Sequence, residues 1–260
     1  MNAPVVLDPR RCAPDTHVVT THLPVPGLGL LPVNAFVLRA AEPVLVDLGV
    51  TALGGDFASA FAKAVDLEEV RWIWLTHTDH DHVGALDALL AAAPRATLVT
   101  TFLGLAKLGL RGPLPAERTR LLAPGERLDV GDRRLLALRP PTFDAPETTG
   151  LLDERTGALF CADSFGAPLG APAERAEDVP VGSLAEGIAA WAGIDAPWLG
   201  LTSAGAFEAA LEQTRALSPA AVLGSHLPPA GGAMLPALIE ALSDARAALA
   251  SATPAAAACP

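Results

Sequence analysis

The stretch that decides the fold runs from Trp72 to Gly84 and reads WIWLTHTDHDHVG. Its first part, Trp72 to Thr76, is a short continuous apolar run, as expected of a strand covered on both faces. Directly after it, three of the six histidines of the chain fall in one segment, His77-Thr78-Asp79-His80-Asp81-His82. Residues two apart in an extended segment project the same way, so His77, Asp79 and Asp81 can converge while His82 turns in at the approach to a helix. Imidazole and carboxylate are ligands of first-row metals, and His77 with Asp79 could hold one ion while Asp81 with His82 holds a neighbour. Two other readings stay open at this point. One is a shifted ligand set of His77, His80 and His82, and the other is a solvated loop in which Asp79 or Asp81 caps the helix.

Working outward, the residues before this stretch read as strands and then a helix. His17 to Pro24, Val33 to Arg39 and Val44 to Leu48 are apolar or β-branched runs divided by PGLGLLP and Ala41-Glu42-Pro43, which predicts an antiparallel meander. From Thr51 to Asp66, Phe57, Phe61, Ala62 and Val65 recur at helical spacing, with Thr51 as the expected cap. A helix over Ala85 to Ala93 is ended by Pro94. The second half repeats the order more loosely, with a strand at Ala96 to Thr101 and a helical segment to Leu110. A hairpin over Glu126 to Leu138 turns at Gly131-Asp132, and a second over Gly150 to Asp163 turns at Glu154 to Gly157. Helices are expected at Leu184 to Trp191, Gly205 to Leu217 and Leu235 to Ala250, with a short strand at Ala221 to Gly224. Strands then helices, twice over, predict two packed sheets with helices outside. One domain over residues 1–250 is expected, followed by an Ala/Pro-rich frayed tail over 251–260.

Composition narrows the function. Eighteen Lys and Arg against 29 Asp and Glu give a net charge of −11, and the basic residues are scattered, so a nucleic-acid partner is not expected. No apolar run approaches the roughly 18 residues of a spanning helix, so no membrane partner is expected either. Cys12, Cys161 and Cys259 are an odd set at unrelated spacings, which fits a reducing compartment. No signal peptide is visible in MNAPVVLDPRRCAP, and the expected location is the cytoplasm. The chain has no tyrosine, which excludes a tyrosyl acid, nucleophile or radical. Gly27-x-Gly29 has no helix start or Lys-Ser/Thr follow-up and is no phosphate loop.

The motif H-x-D-x-D-H at the end of a strand resembles the metallo-β-lactamase superfamily, whose pattern is H-x-H-x-D-H. With Asp79 at the third position it is most similar to the H-x-E-x-D-H of the flavodiiron proteins and their oxygen-binding diiron relatives. Asn34-Ala35-Phe36 and Val44-Leu45-Val46-Asp47 are similar to the opening strands of that family. Asp163 in LFCADSFGA resembles its bridging Asp, and Gly224-Ser225-His226 resembles its last-ligand strand. Asp144 in Asp144-Ala145-Pro146-Glu147 stands where the diiron relatives carry a His before W-P-[DE], at a similar distance along the chain. The resemblance covers about Val18 to His226.

Carried over, the resemblance implies an α/β (α+β), four-layer αββα sandwich with one metal on His77, Asp79 and Asp144. A second metal falls to Asp81 and His226, with Asp163 bridging; Asp81 and Asp163 are then the residues nearest the chemistry. His82 is a ligand in the zinc relatives, while its counterpart in the diiron relatives stays off the metal. Four carboxylates favour iron, with manganese or zinc as alternatives. The function implied first is a non-haem diiron protein that binds or reduces O2 or NO. Flavodiiron proteins carry a flavodoxin-like domain that this chain has no room for, so FMN is not expected in it, and a separate flavoprotein is the expected electron donor. The alternative is a dinuclear hydrolase in which a metal-held hydroxide attacks an ester, thioester, lactam or phosphodiester. A degenerate binding module is the third. A homodimer is expected from base rates.

The remaining conspicuous residues take duller readings. His80 is expected to point away and His22 to be a surface strand residue. Asp47 is expected to hydrogen-bond the backbone of the metal loop. Cys161, Trp72 and Trp74 are expected in the core.

Overall fold

The layering follows from alternation along short strands. In β4 (Val44–Val46) the two valines point to one side of the sheet and Leu45 to the other, as the two-residue period of a strand requires. The computed structural model describes residues 3–252. Around β4 lies a seven-stranded sheet in sequence order. It comprises β1 (Arg10–Ala13), β2 (Thr16–Val25), β3 (Gly29–Leu38), β4, β5 (Trp72–Trp74), β6 (Thr97–Thr100) and β7 (Thr119–Leu121). Pairing is antiparallel up to β4 and parallel beyond it. The change follows from the connections, because parallel neighbours need a crossover. Helices α1 (Gly54–Ala64), α2 (Leu86–Ala92) and α3 (Phe102–Gly109) supply the crossovers.

The second sheet is built from β8 (Arg127–Asp129), β9 (Arg134–Leu138), β10 (Gly150–Asp153), β11 (Ala158–Phe160), β12 (Ala221–Leu223) and β13 (Ala230–Gly231). Between β11 and β12 the chain forms α4 (Val181–Asp195) and α5 (Ala204–Ala216), and α6 (Leu235–Ala252) follows β13. Three buried layers result. Leu45, Ile73 and Leu98 pack on Phe57 and Phe61 of α1 and Leu89 of α2. Phe36, Val46, Trp74 and Val99 face Leu135, Leu151, Phe160 and Leu223 across the sheets, with Phe36 and Phe160 edge to face at 5.3 Å. Leu159 and Val222 pack outward on Ile188, Phe207 and Leu238 of α4, α5 and α6. The architecture is a four-layer αββα sandwich.

Several expectations change in detail. Thr51 does not cap α1; it opens a 3-10 turn, and the residue before α1 is Leu53, without a side-chain cap. The hydroxyl of Thr51 instead donates to the carbonyl of His80 at 2.7 Å, which ties this turn to the loop after β5. Strands β1, β7 and β13 were not expected, being too short to show a period. Helix α4 runs four residues past Trp191 to Asp195, and α6 continues to Ala252. The rest of the expected tail, 253–260, lies outside the described residues. Among the described residues no helix is long and apolar enough to cross a membrane.

Candidate metal centre

The site forms where strands of both sheets end at the same edge. β4 stops at Asp47, whose φ of 54° turns the chain into the left-handed region. β5 stops before Thr76, and the two loops run side by side. Leu48 and Thr51 donate backbone N–H groups to the carbonyls of His82 and His80, and Gly84 donates to Gly49. Gly84 has to be glycine, because a Cβ there would lie 2.4 Å from the backbone of Val50. The Asp47 carboxylate ties the loops together. It accepts from the Thr76 N–H at 2.8 Å, from the Thr76 hydroxyl and from Ser225 Oγ at 3.2 Å, and it pairs with His82 Nδ1 at 2.9 Å. The support expected of Asp47 is present and extends to a histidine and to the opposite sheet.

The second sheet delivers Asp163 and His226. Asp163 follows β11 in a tight turn flanked by Ala162 and Phe165, both at positive φ. His226 follows β12, and Asn34 of β3 clasps its loop through Nδ2 to the carbonyls of Gly224 and Leu227 at 2.9 and 2.7 Å. Thr142 exchanges hydrogen bonds with Ser164, which fixes the segment carrying Asp144 against the Asp163 turn.

These side chains converge. His77 Nε2 lies 3.2 Å from Asp163 Oδ2 and 3.9 Å from Asp144 Oδ1. The other Asp163 oxygen, Oδ1, lies 3.2 Å from His82 Nε2 and 3.4 Å from His226 Nε2. Asp81 closes the far side, with Oδ2 3.2 Å from His226 Nε2 and Oδ1 3.7 Å from His82 Nε2. Ligand atoms within 4.8 Å of one another come from His77, His82 and Asp163; from Asp81, His82 and His226; and from His77, Asp79 and Asp144. All seven residues singled out in the sequence meet here, and His82 faces inward as fully as the others.

The arrangement fits a cation. His77 Nε2, His82 Nε2 and Asp163 Oδ1 are sealed from water and make no hydrogen bond of good geometry, an arrangement that is costly unless something else satisfies them. The second nitrogens of two rings are already committed. His226 Nδ1 lies 2.8 Å from the Pro32 carbonyl, which can only accept, and His82 Nδ1 faces Asp47. In the neutral rings Nδ1 therefore keeps its proton and Nε2 turns a lone pair to the site.

Electrostatics point the same way. Burial opposes charge on His226, but Asp163 and Asp81 outweigh it and hold its pKa at about 9. His82 is driven well above the usual imidazole range when Asp163, Asp47 and Asp81 outweigh its burial. Asp163 is pulled well below the usual carboxylate range by His82, His77 and His226, against its own burial. The cluster draws in positive charge, either as protons or as a metal.

The rim holds residues that sequence reasoning missed. Asp195, at the end of α4, joins Asp144 and Asp163 in a further group of ligand atoms within 4.8 Å. Burial, then Asp163 and Asp144, raise its pKa to about 7. Glu147 is buried, accepts from Thr78 Oγ1 at 2.9 Å and pairs with Lys107 of α3. Asp195 carries no motif, and only the fold brings α4 to the site. His80 is exposed and turned toward Thr51, so the shifted ligand set does not form. His22 lines a separate cleft with Leu7, Arg10 and Glu174. Cys161 and Trp74 are buried, and Trp72 packs against the same core while its indole N–H reaches Glu42.

The family profile described as the metallo-β-lactamase superfamily matches residues 28–218. This chain belongs to that superfamily. Within it, the chain is 25% identical over 134 residues to the anaerobic nitric oxide reductase flavorubredoxin of Salmonella typhi, a match covering 51% of this chain and 28% of that protein. The chain thus spans well under a third of the length of that relative. Among solved structures, the flavodiiron protein of Giardia intestinalis superposes with a TM-score of 0.80 at 17% identity, over 92% of this chain and 59% of that one. The rubredoxin oxygen:oxidoreductase of Desulfovibrio gigas gives 0.79 at 18%, over 91% and 61%. At these identities the likeness establishes a shared fold.

Proposed function

We propose that this superfamily member is a non-haem diiron protein that binds O2 or NO and reduces it. The observation that carries the reading is the ligand chemistry. Asp79 and Asp144 put carboxylates at two positions facing His77, and an oxygen-rich set suits iron or manganese better than zinc. In this reading His77, Asp79 and Asp144 would hold one iron and Asp81 and His226 the other, with Asp163 placed between the two sets, one oxygen toward His77 and one toward His226. An iron pair held by these residues would supply the redox chemistry for reducing a bound diatomic. The protein's own residues fix both positions, keep the inner ligands dry and orient His82 and His226 through Asp47 and Pro32. Electrons for repeated turnover come from a flavin-bearing donor, a reading in line with the partial likeness to a flavorubredoxin.

A second reading, a zinc hydrolase of the same fold, draws support from one feature. His82 Nε2 is turned fully into the site and adds a third imidazole to His77 and His226. Elemental analysis of protein purified without added metal and without oxygen decides between them. About two irons per chain, followed by a spectral response to nitric oxide, is the expected result. Two zincs would overturn it in favour of ester and phosphodiester hydrolysis, and no metal at all would leave a binding module.

A further inference from the structure

We propose that Asp195 is an additional metal ligand, contributed by the end of α4 to the ion position on the His77 side. The inference rests on the dinuclear reading above. A carboxylate oxygen of Asp195 lies within 4.8 Å of ligand oxygens on both Asp144 and Asp163. Two oxygens held by one ion at roughly 2.0–2.2 Å each stand up to about 4.4 Å apart, so this spacing is little more than one ion spans. His77 Nε2, which is 1% exposed and has no hydrogen-bond partner, lies 3.2 Å from Asp163 and 3.9 Å from Asp144, the same two carboxylates.

The placement of Asp195 is otherwise unfavourable. It is the final residue of α4, where the helix dipole presents partial negative charge and disfavours a carboxylate. It faces two further carboxylates and is half-buried. A cation relieves all three conflicts together. The helix end is also held in register with the site. Trp191, one turn before Asp195, packs its ring 4.7 Å from that of His226. Gly166 has no room for a Cβ against that indole, since one would lie 2.4 Å from it.

With Asp195 included, the two ion positions differ in kind. The first has one imidazole, His77, with Asp79, Asp144, Asp195 and a shared oxygen of Asp163. The second has His226 and the inward-facing His82 with Asp81 and the other Asp163 oxygen. Hard oxygen donors favour manganese or ferric iron on the first, whereas imidazole donors favour ferrous iron or zinc on the second.

The test loads metal-free protein with one equivalent of zinc and then titrates manganese, reading bound metal by elemental analysis and free manganese by electron paramagnetic resonance. Wild type is expected to bind one zinc and one manganese. Asp195→Asn and Asp195→Ala, with folding checked by circular dichroism, are expected to keep the zinc and to bind manganese at least about tenfold more weakly. Equal manganese affinity in wild type and both variants overturns the assignment of Asp195 while leaving the dinuclear reading standing. A wild-type chain that takes up neither ion overturns the dinuclear reading itself. A crystal structure of the zinc- and manganese-loaded wild type gives a check that needs no variant. An Asp195 oxygen about 2.2 Å from manganese supports the proposal, and an Asp195 turned away from the ion overturns it.

Discussion

The two sides of the metal centre are built differently. On the imidazole side, His82 and His226 are each pinned through Nδ1 to a buried acceptor, Asp47 or Pro32, and both rings are 1% exposed. On the carboxylate side, Asp144 is exposed on a segment between strands, and Asp195 stands at a helix end. The first side is rigid before any ion arrives, because its orientation is fixed by protein. The second side has like charges facing one another, so its geometry depends on what binds. Burial, and then Asp163 and Asp79 against His77, hold Asp144 above the usual carboxylate range. On the proposed dinuclear reading the difference separates affinity from selectivity: the pinned imidazoles would set how tightly metal is held, and the carboxylates would set which metal it is.

The change that breaks both sides at once is Asp163→Ala, because Asp163 faces His77 with one oxygen and His82 and His226 with the other. Metal content is expected to fall from about two ions per chain to less than one, with His77→Ala losing the ion on its own side. Unchanged metal content in both variants, measured by elemental analysis, would remove the ligand assignment. Next in size is Asp47→Ala, which touches no metal but strips acceptors from Thr76, Ser225 and His82. Ligand-orienting partners of this kind are worth about 10- to 100-fold in metal affinity, and the stranded buried donors add a stability loss of about 3 kcal/mol or more. Chelator competition and chemical denaturation read the two effects separately. A loss of stability without any loss of affinity would show that Asp47 is a fold clamp only.

Much of this contrast is visible along the chain, and the rest is hidden for physical reasons. One ligand on each side is legible because it sits soon after an apolar strand run, His77 after WIWLT and His226 after AVLGS, where a strand end fixes direction. The layering is legible from the order of strands then helices, which occurs twice along the chain. Asp195 left no such trace. Its helix is periodic only with respect to the core on its other face, and its closeness to Asp163 is created by packing between elements far apart in sequence. Glu147 and Lys107 are similar, because their pairing requires α3 to lie beside the Asp144 segment. The missed strands β1, β7 and β13 owe their existence to neighbours rather than to their own residues.

Acidity sharpens the comparison from the protein's side. In chelator-stripped protein His226 has a pKa held at about 9 by Asp163 and Asp81, against an ordinary value near 6.5 in the unfolded chain. A raised pKa means that the protonated ring stabilises the fold below about pH 6.5, and this contribution is lost as pH rises through about 9. Thermal melts of stripped protein are expected to fall over that window, whereas metal-loaded protein, in which the ion supplies the charge, is expected to hold its melting temperature. Metal uptake at neutral pH is expected to release protons. Parallel melts with and without metal would contradict the assignment of His226 to the site.

The smallest expected effect falls on the flexible side and is the most discriminating. Asp144→His places an imidazole at the position where the sequence resemblance implies one, on a half-buried side chain whose replacement is expected to change stability by about 1 kcal/mol or less. If Asp144 is a ligand, both ions are retained while the preference between manganese and zinc moves toward zinc, because one hard oxygen has become nitrogen. Competition of the two metals for wild type and variant measures that shift directly. An unchanged preference would place Asp144 outside the reach of the ion. The carboxylate side would then be defined by Asp79 and the helix-borne Asp195, and its selectivity would come from α4 rather than from the segment that the family motif points to.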